Sequence, residues 1–290
     1  MYNVVYYILK LLSYLPFWLL YLVSDFIYLI VYHIVRYRVN VVRENINRSF
    51  PEKTVREKKQ IEKKFYHHFG DMMVEMLKMM SLSDEEVLKR MKYIDYEPVI
   101  KHYEEGRSVI LYTSHFGNWE WLSSFSLHLP KDKPVYQVYK KLSSDLSNKI
   151  SFKTRQRFGA VNVEMKELLR KIVELKKENK LGMFGMISDQ SPRRVPDLHF
   201  VDFLHQPTSV ITGSEQLAKK FNFPVYFVSI RQVKRGYYTA TLQPLALQPT
   251  ETAEYEITTK YMELLEKDIR RQPEQWLWSH KRWKHKPKND

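Results

Sequence analysis

The chain of 290 residues contains no cysteine and only eight glycines. Without cysteine it has no disulfide bond, no thiolate zinc site and no cysteine nucleophile, which fits a reducing compartment. So few glycines leave little room for phosphate-binding loops, and neither a P-loop nor a paired-glycine dinucleotide fingerprint occurs. A His-Glu-x-x-His metal motif is also missing. We therefore predict no metal and no resident cofactor.

Positive charge is abundant instead. The chain has 47 Lys and Arg against 33 Asp and Glu, a formal charge of +14 and a pI near 9.5. A surface this basic attracts polyanions such as nucleic acid, anionic lipid headgroups or an acidic carrier protein. No recognised nucleic-acid-binding motif accompanies the charge, so nucleic acid is not a predicted partner.

Residues 1–35 are almost wholly apolar and aromatic, with Lys10 and Asp25 as their only ordinary charges. Pro16 and Asp25 interrupt the segment, and no apolar run reaches the roughly 20 residues of a clean membrane span. Three interpretations stay open: a tilted span, a re-entrant helical hairpin broken near Pro16, or a helix pair inside a soluble core.

A basic cluster directly behind this segment favours the membrane interpretations, with the cytoplasmic side and anionic lipid as its surroundings. The cluster consists of Arg36, Arg38, Arg43 and Arg48. We predict a membrane-anchoring segment at residues 1–35 and an α/β domain at residues 36–290.

Short apolar runs and amphipathic runs alternate through the second part of the chain. The predicted strands are 108–114, 134–139, 181–188, 224–231 and 237–243. The predicted helices are 51–82, 119–129, 144–157, 166–179, 208–222 and 251–271. Thr54 and Glu57 form a capping-box pattern at the start of the first of these helices, which carries a stripe of methionines. This order predicts a mostly parallel central sheet flanked by helices, with one late antiparallel hairpin.

Residues 113–120, Thr-Ser-His-Phe-Gly-Asn-Trp-Glu, stand where a predicted strand passes into a helix. Sites in open α/β sheets collect at the carboxyl ends of strands. A neutral imidazole at His115 can take the proton of a hydroxyl as that oxygen attacks a thioester, and a carboxylate at Glu120 can fix its tautomer. Asn118, in the bend between them, is a candidate substrate or oxyanion ligand. A His–Glu pair alone is a weak signal, because the helix dipole itself favours an early glutamate.

Several motifs in order resemble the late acyltransferases of lipid A biosynthesis, the lauroyl and myristoyl transferases of the bacterial inner membrane. The resemblance is carried by residues 115–120 (HFGNWE), 43–46 (RENI), 49–52 (SFPE), 155–159 (RQRFG), 188–190 (SDQ) and 273–284 (PEQWLWSHKRWK). It implies a fold like that of glycerol-phosphate acyltransferases and an enzyme on the cytoplasmic face of the inner membrane. The acyl chain would come from acyl carrier protein, or acyl-CoA, and pass to a hydroxyl of a lipid A precursor.

The same resemblance assigns residues. His115 and Glu120 match the catalytic dyad, as general base and orienter. Arg155 matches an arginine that bears on the oxyanion or substrate, with Arg157 a rival for that position. Asp189 matches a strand-end acid with a structural or substrate-positioning role.

Two departures from the better-known enzymes lie where contacts with the headgroup of the acceptor are expected. After Asp189-Gln190 comes Ser-Pro-Arg-Arg at residues 191–194, and Lys140 and Lys141 follow Tyr139 where an arginine is usual. We count Lys140 among the candidate substrate ligands. Acylation of a lysophospholipid or another lyso-lipid is the alternative reaction. A non-catalytic, membrane-tethered protein that binds anionic lipid is the alternative of another class.

Overall fold

The computed structural model describes residues 2–141, 145–193 and 197–287. Nine strands lie within these ranges: β1 Met91–Ile94, β2 Val109–Thr113, β3 Val135–Tyr139, β4 Val161–Glu164, β5 Met183–Ile187, β6 Phe200–Phe203, β7 Gln206–Ser209, β8 Val225–Lys234 and β9 Tyr237–Ala246. Seven of them form one sheet in the order β1-β9-β8-β2-β5-β3-β4. Only the pair β8–β9 is antiparallel there, because a short turn at Arg235 and Gly236 joins those two strands.

Helices flank this sheet. Within the described ranges the α-helices are α1 Tyr2–Ser13, α2 Phe17–Tyr28, α3 Val39–Ser49, α4 Val55–Lys78, α5 Asp84–Arg90, α6 Glu97–Glu104, α7 Asp145–Arg155, α8 Leu168–Lys177, α9 Gly213–Phe221 and α10 Glu256–Arg271. The central strand β2 is buried along its whole length, as is usual for a parallel strand covered on both faces. The predicted α/β class with a mostly parallel sheet and a late antiparallel hairpin is confirmed.

Two predicted helices differ in the structure. Residues 208–222 divide into the end of strand β7 and the shorter helix α9, because the β-branched run before Gly213 favours an extended backbone. The segment Trp119–His128 is a 3₁₀-helix. Within this tighter helix the hydroxyl groups of Ser123 and Ser124 each donate a hydrogen bond to the backbone carbonyl three residues earlier.

The N-terminal helices pack on α4. Helix α2 continues as a π-helical turn, Leu29–Ile34, and runs antiparallel to α4. The two are joined by polar contacts along their length: Tyr21 to Glu75 at 2.9 Å, Ser24 to Asp71 at 2.6 Å and Tyr32 to Glu62 at 2.8 Å. The chain bends at Pro16, as predicted, and the first helical turn of α2 begins directly after it.

The opposite face of these helices is apolar and open to solvent. Its exposed side chains include Ile8, Leu11, Trp18, Leu22, Phe26 and Ile34. The helical stretch Phe17–Ile34 is long and apolar enough to cross a membrane, and only 22% of it is buried inside the protein. The outward face of these helices is therefore not part of the protein core in the described residues.

Candidate active site

His115 and Asp189 meet at the carboxyl edge of the sheet. Strands β2 and β5 are parallel neighbours whose register pairs Thr113 with Ile187. Each functional residue follows two positions after its strand, so the two side chains arrive side by side. His115 Nδ1 lies 2.7 Å from Asp189 Oδ1, and the His115 backbone N–H donates to Oδ2 at 3.0 Å.

Asp189 is a buried carboxylate. Burial alone would raise its pKa, but the charge and hydrogen bonds of His115 and the indole N–H of Trp276 outweigh burial, so the pKa lies below its ordinary value. An ionised Asp189 accepts the proton on Nδ1 of His115. The lone pair of the imidazole is then on Nε2, which faces Gln190 at 3.3 Å and is the atom available to act as a base.

Glu120 does not contact the second ring nitrogen of His115, which was its predicted place; Asp189 occupies that position. Glu120 instead accepts two hydrogen bonds from Arg155, from Nε at 2.7 Å and from Nη2 at 2.5 Å. The reason is topological: Asp189 comes from the strand next to β2, whereas Glu120 lies further along the 3₁₀-helix and faces the end of α7. The predicted catalytic role of Glu120 stays a prediction.

The other predicted site residues fall into two groups. Arg155 and Lys140 line the same cavity as His115 and Glu120. Asn118 and Arg157 do not. The Asn118 side chain is buried, where it accepts the backbone N–H of Trp121 and caps the 3₁₀-helix. Arg157 donates to the Leu82 carbonyl at 2.8 Å from its Nε, so of the two arginines predicted for this position only Arg155 lines the cavity.

A large, mostly apolar cavity of about 890 Å³ opens beside His115. Strands β2, β3, β5, β8 and β9 all contribute to its wall, with Leu111, Val135, Gly185, Val228 and Leu242 among the lining residues. Its polar residues include Lys140, Lys141, Arg155 and Arg193. Its volume is in the range of small-molecule sites. The methionine-bearing helix α4 contributes no residue to this wall.

The C-terminal motif also contributes contacts to the site. Sequence analysis had not assigned the motif to this place. Its Trp276 binds Asp189, its Leu277 N–H donates to the His115 carbonyl at 3.1 Å, and the Gln275 carbonyl accepts from Gly117 at 3.0 Å. The motif was visible at residues 273–284, but nothing in its spacing indicated contact with residues 115–117.

A histidine is paired with a buried carboxylate at the edge of a parallel sheet, beside an apolar cavity. General-base chemistry uses this arrangement in α/β enzymes. Similarity to known proteins identifies the family. Residues 2–285 match the family described as bacterial lipid A biosynthesis acyltransferase, and the chain belongs to that family. The chain is also similar to the lipid A biosynthesis lauroyltransferase of Escherichia coli K12, with 24% identity over 253 residues that cover 86% of this chain and 80% of that protein. The family resemblance inferred from the motifs is confirmed.

Proposed function

We propose that this enzyme transfers an acyl chain from a thioester, carried by acyl carrier protein or coenzyme A, to a hydroxyl of a lipid A precursor. The observation that carries the proposal is the His115–Asp189 pair beside the apolar cavity, with the lone pair of the imidazole on Nε2, where its neighbour is the side-chain amide of Gln190. Membership of the acyltransferase family supports the reaction class.

His115 acts on the acceptor hydroxyl. Its Nε2 takes the proton as the oxygen attacks the thioester carbonyl, and Asp189 stabilises the imidazolium that forms. When the tetrahedral intermediate collapses, the carbon–sulfur bond breaks and the imidazolium returns the proton to the departing thiolate. No residue of the protein is acylated in this scheme.

Arg155 stabilises the negative charge on the former carbonyl oxygen. Its guanidinium lines the cavity and is held in one orientation by the bidentate contact with Glu120. A fixed cation in a site of low polarity is worth more than the same cation in water, because it needs no reorganisation as charge develops. Glu120 therefore acts through Arg155 in this proposal.

The cationic rim selects polyanionic substrates. Lys140, Lys141 and Arg193 all line the polar part of the cavity. Phosphate groups of a lipid A precursor and the acidic surface of a carrier protein both complement such a rim. The acyl chain occupies the apolar part of the cavity, between the sheet and the 3₁₀-helix.

We further propose that residues 1–35 lie in the surface of the inner membrane, on its cytoplasmic face, and do not span it. Helix α2 contacts Asp71 of α4, the π-helical turn that follows contacts Glu62, and Asp25 binds Arg235 at 2.6 Å. A spanning orientation would draw this chain of charged groups into hydrocarbon, at a cost of several kcal/mol. An in-plane orientation places only the apolar outer face in lipid.

The decisive experiment is mass spectrometry of lipids from cells that lack the gene and carry wild type, His115→Ala or, as control, His205→Ala. His205 is a surface residue outside the cavity. We expect lipid A to lose one acyl chain in the deletion strain, and wild type and His205→Ala to restore it. A change in a phospholipid alone would identify a different acceptor. Restoration by His115→Ala would contradict the catalytic proposal.

A further inference from the structure

Glu75, on helix α4, is fully buried and accepts hydrogen bonds from three segments of the chain. Asn118 Nδ2 donates to Oε2 at 2.7 Å, the Tyr238 hydroxyl donates to the same oxygen at 2.9 Å, and the Tyr21 hydroxyl donates to Oε1 at 2.9 Å. All three partners are uncharged. Burial raises the pKa of Glu75 to about 7, although these donors favour the ionised form.

The contact with Asn118 fixes the loop that carries the site. Asn118 stands three positions after His115 and two before Glu120, and its side chain bridges Glu75 and the backbone N–H of Trp121. The Trp121 indole also donates to the backbone carbonyl of Glu75 at 3.2 Å. Glu75 thus holds both the capping residue and the first turn of the 3₁₀-helix.

The loop has little freedom elsewhere. Gly117 has φ +56°, and a Cβ atom at that position would lie 2.7 Å from Ile230 Cγ2. The loop therefore turns at a residue that must be glycine, and the orientation of the next residue, Asn118, is fixed by Glu75. A change of about 1 Å in such a loop moves His115 relative to Arg155, which is enough to reduce a rate substantially.

Glu75 itself lies outside the cavity wall, so substrate does not contact it. Its burial has a cost, because a carboxyl group without a cationic partner is expensive in a protein interior. The three donors nevertheless converge on this carboxyl group.

We propose that Glu75 is a positioning residue for the acyl transfer, acting through Asn118 on the geometry of His115 and of the Glu120–Arg155 pair. This inference rests on the proposed function. It requires a specific contact between an amide and a carboxylate, and that contact can be reversed by exchanging the two groups.

The test measures kcat and KM for an acyl-carrier-protein donor, together with the melting temperature, in full-length enzyme. Asn118→Asp keeps a cap but replaces the amide that donates to Glu75 with a second carboxyl group, so we expect kcat to fall about tenfold or more with KM within about twofold. Adding Glu75→Gln restores an amide–carboxylate contact in the opposite order, and kcat should recover at least about fivefold. Adding Glu62→Gln, a buried glutamate on the same helix, should give no recovery.

A second variant covers the case in which Asn118→Asp does not fold. Asn118→Ser retains a capping oxygen but is too short to reach Glu75, and its kcat should also fall about tenfold. Wild-type kcat in Asn118→Ser, or no recovery by Glu75→Gln in a folded Asn118→Asp protein, would overturn the proposal. Wild-type enzyme that transfers no acyl chain would instead contradict the proposed function.

Discussion

His115 Nδ1 lies 2.7 Å from Asp189 Oδ1, although 74 residues separate them in the chain. Two neighbouring parallel strands bring them together, and a third segment, near the C-terminus of the chain, packs against the pair. Phe116 pairs with Trp276 in an antiparallel bridge, and the indole of Trp276 donates to the other oxygen of Asp189 at 2.8 Å. The orientation of the His115 side chain therefore depends on three distant parts of the sequence.

The first prediction concerns Asp189→Asn. An amide at this position presents no charge to the imidazolium and permits the wrong tautomer of His115, so kcat should fall by roughly 10²–10⁴. KM should change little, because Asp189 is covered by Trp276. The control is Asp202→Asn, which alters an exposed aspartate on β6. Steady-state rates with purified enzyme decide the matter, and a loss below about tenfold would assign the orienting role elsewhere.

The second prediction separates two roles for Glu120. If Glu120 acts through Arg155, the variants Glu120→Ala and Arg155→Ala remove the same interaction. The double variant should then be no slower than the slower single variant within about threefold, as residues that act as a unit are non-additive.

The sequence-based hypothesis, in which Glu120 orients His115 directly, gives a different outcome. The two changes would then remove independent contributions, and their effects on kcat would multiply. A double-mutant cycle on kcat distinguishes these results without reference to the absolute rates.

The sequence predicted the local features of the fold well. The capping box of Thr54 and Glu57 is present at the start of α4. Strand β2 was predicted within a residue at each end. These features depend on residues a few positions apart, which a single sequence displays directly.

What the sequence could not supply is pairing over long distances. Nothing in one chain indicates that β2 lies beside β5, so the partner of His115 was sought five residues away at Glu120 and not 74 residues away at Asp189. Asn118 was misplaced for the same reason: its buried partner, Glu75, lies on a helix 43 residues earlier. The cavity is equally non-local, because five strands contribute to its wall.

The third prediction uses two buried glutamates of α4 that respond to pH in opposite ways. Burial raises the pKa of Glu75 from 4.5 to about 7. At pH values between these two, the Glu75 side chain is ionised in the unfolded chain but protonated in the folded protein. The free energy of unfolding of wild type therefore falls as the pH rises. Relative to wild type, Glu75→Gln should therefore gain about 3 kcal/mol between pH 4.5 and 7.

Glu62 provides the matched comparison. Burial would raise its pKa, but hydrogen bonds from Arg43, Lys59 and Tyr32 lower it below 4.5. The ionised Glu62 side chain stabilises the fold above pH 4.5. This stabilisation is lost as the pH falls through the pKa that Glu62 has in the folded protein, which is the lower of the two. Glu62→Gln should thus be less stable than wild type by a constant amount between pH 5 and 8. Parallel pH profiles of melting temperature for the two variants would contradict the assignment.

The fourth prediction tests the in-plane orientation of residues 1–35. Since the chain has no cysteine, single cysteines report position without background. Tyr14 and Arg36 are exposed residues on either side of Phe17–Ile34. In inverted inner-membrane vesicles, an impermeant maleimide should label both Tyr14→Cys and Arg36→Cys. Labelling of Arg36→Cys alone, with Tyr14→Cys reacting only after detergent is added, would show that the helix spans the bilayer.

The fifth prediction concerns the acyl chain. Gly185 and Ile187 both line the cavity, two positions apart on one face of β5, so a side chain at position 185 would point into the cavity. A Cβ atom there would meet only the Tyr136 carbonyl, at 3.9 Å, so the fold tolerates the change. Gly185→Leu should shorten the space for hydrocarbon and lower kcat/KM for the longest accepted donor by roughly 10–200-fold, as one misfit methylene already costs that much.

The measurement is a competition among saturated acyl donors of graded length, with the products resolved by mass spectrometry. The preferred chain should become shorter in Gly185→Leu while the total rate with the shortest donors is retained. Gly213→Leu is the matched control, because a Cβ atom there meets nothing within 4 Å and the residue lies outside the cavity wall. If Gly185→Leu keeps the chain-length preference of wild type, the hydrocarbon is bound elsewhere, and the cavity holds another part of the substrates.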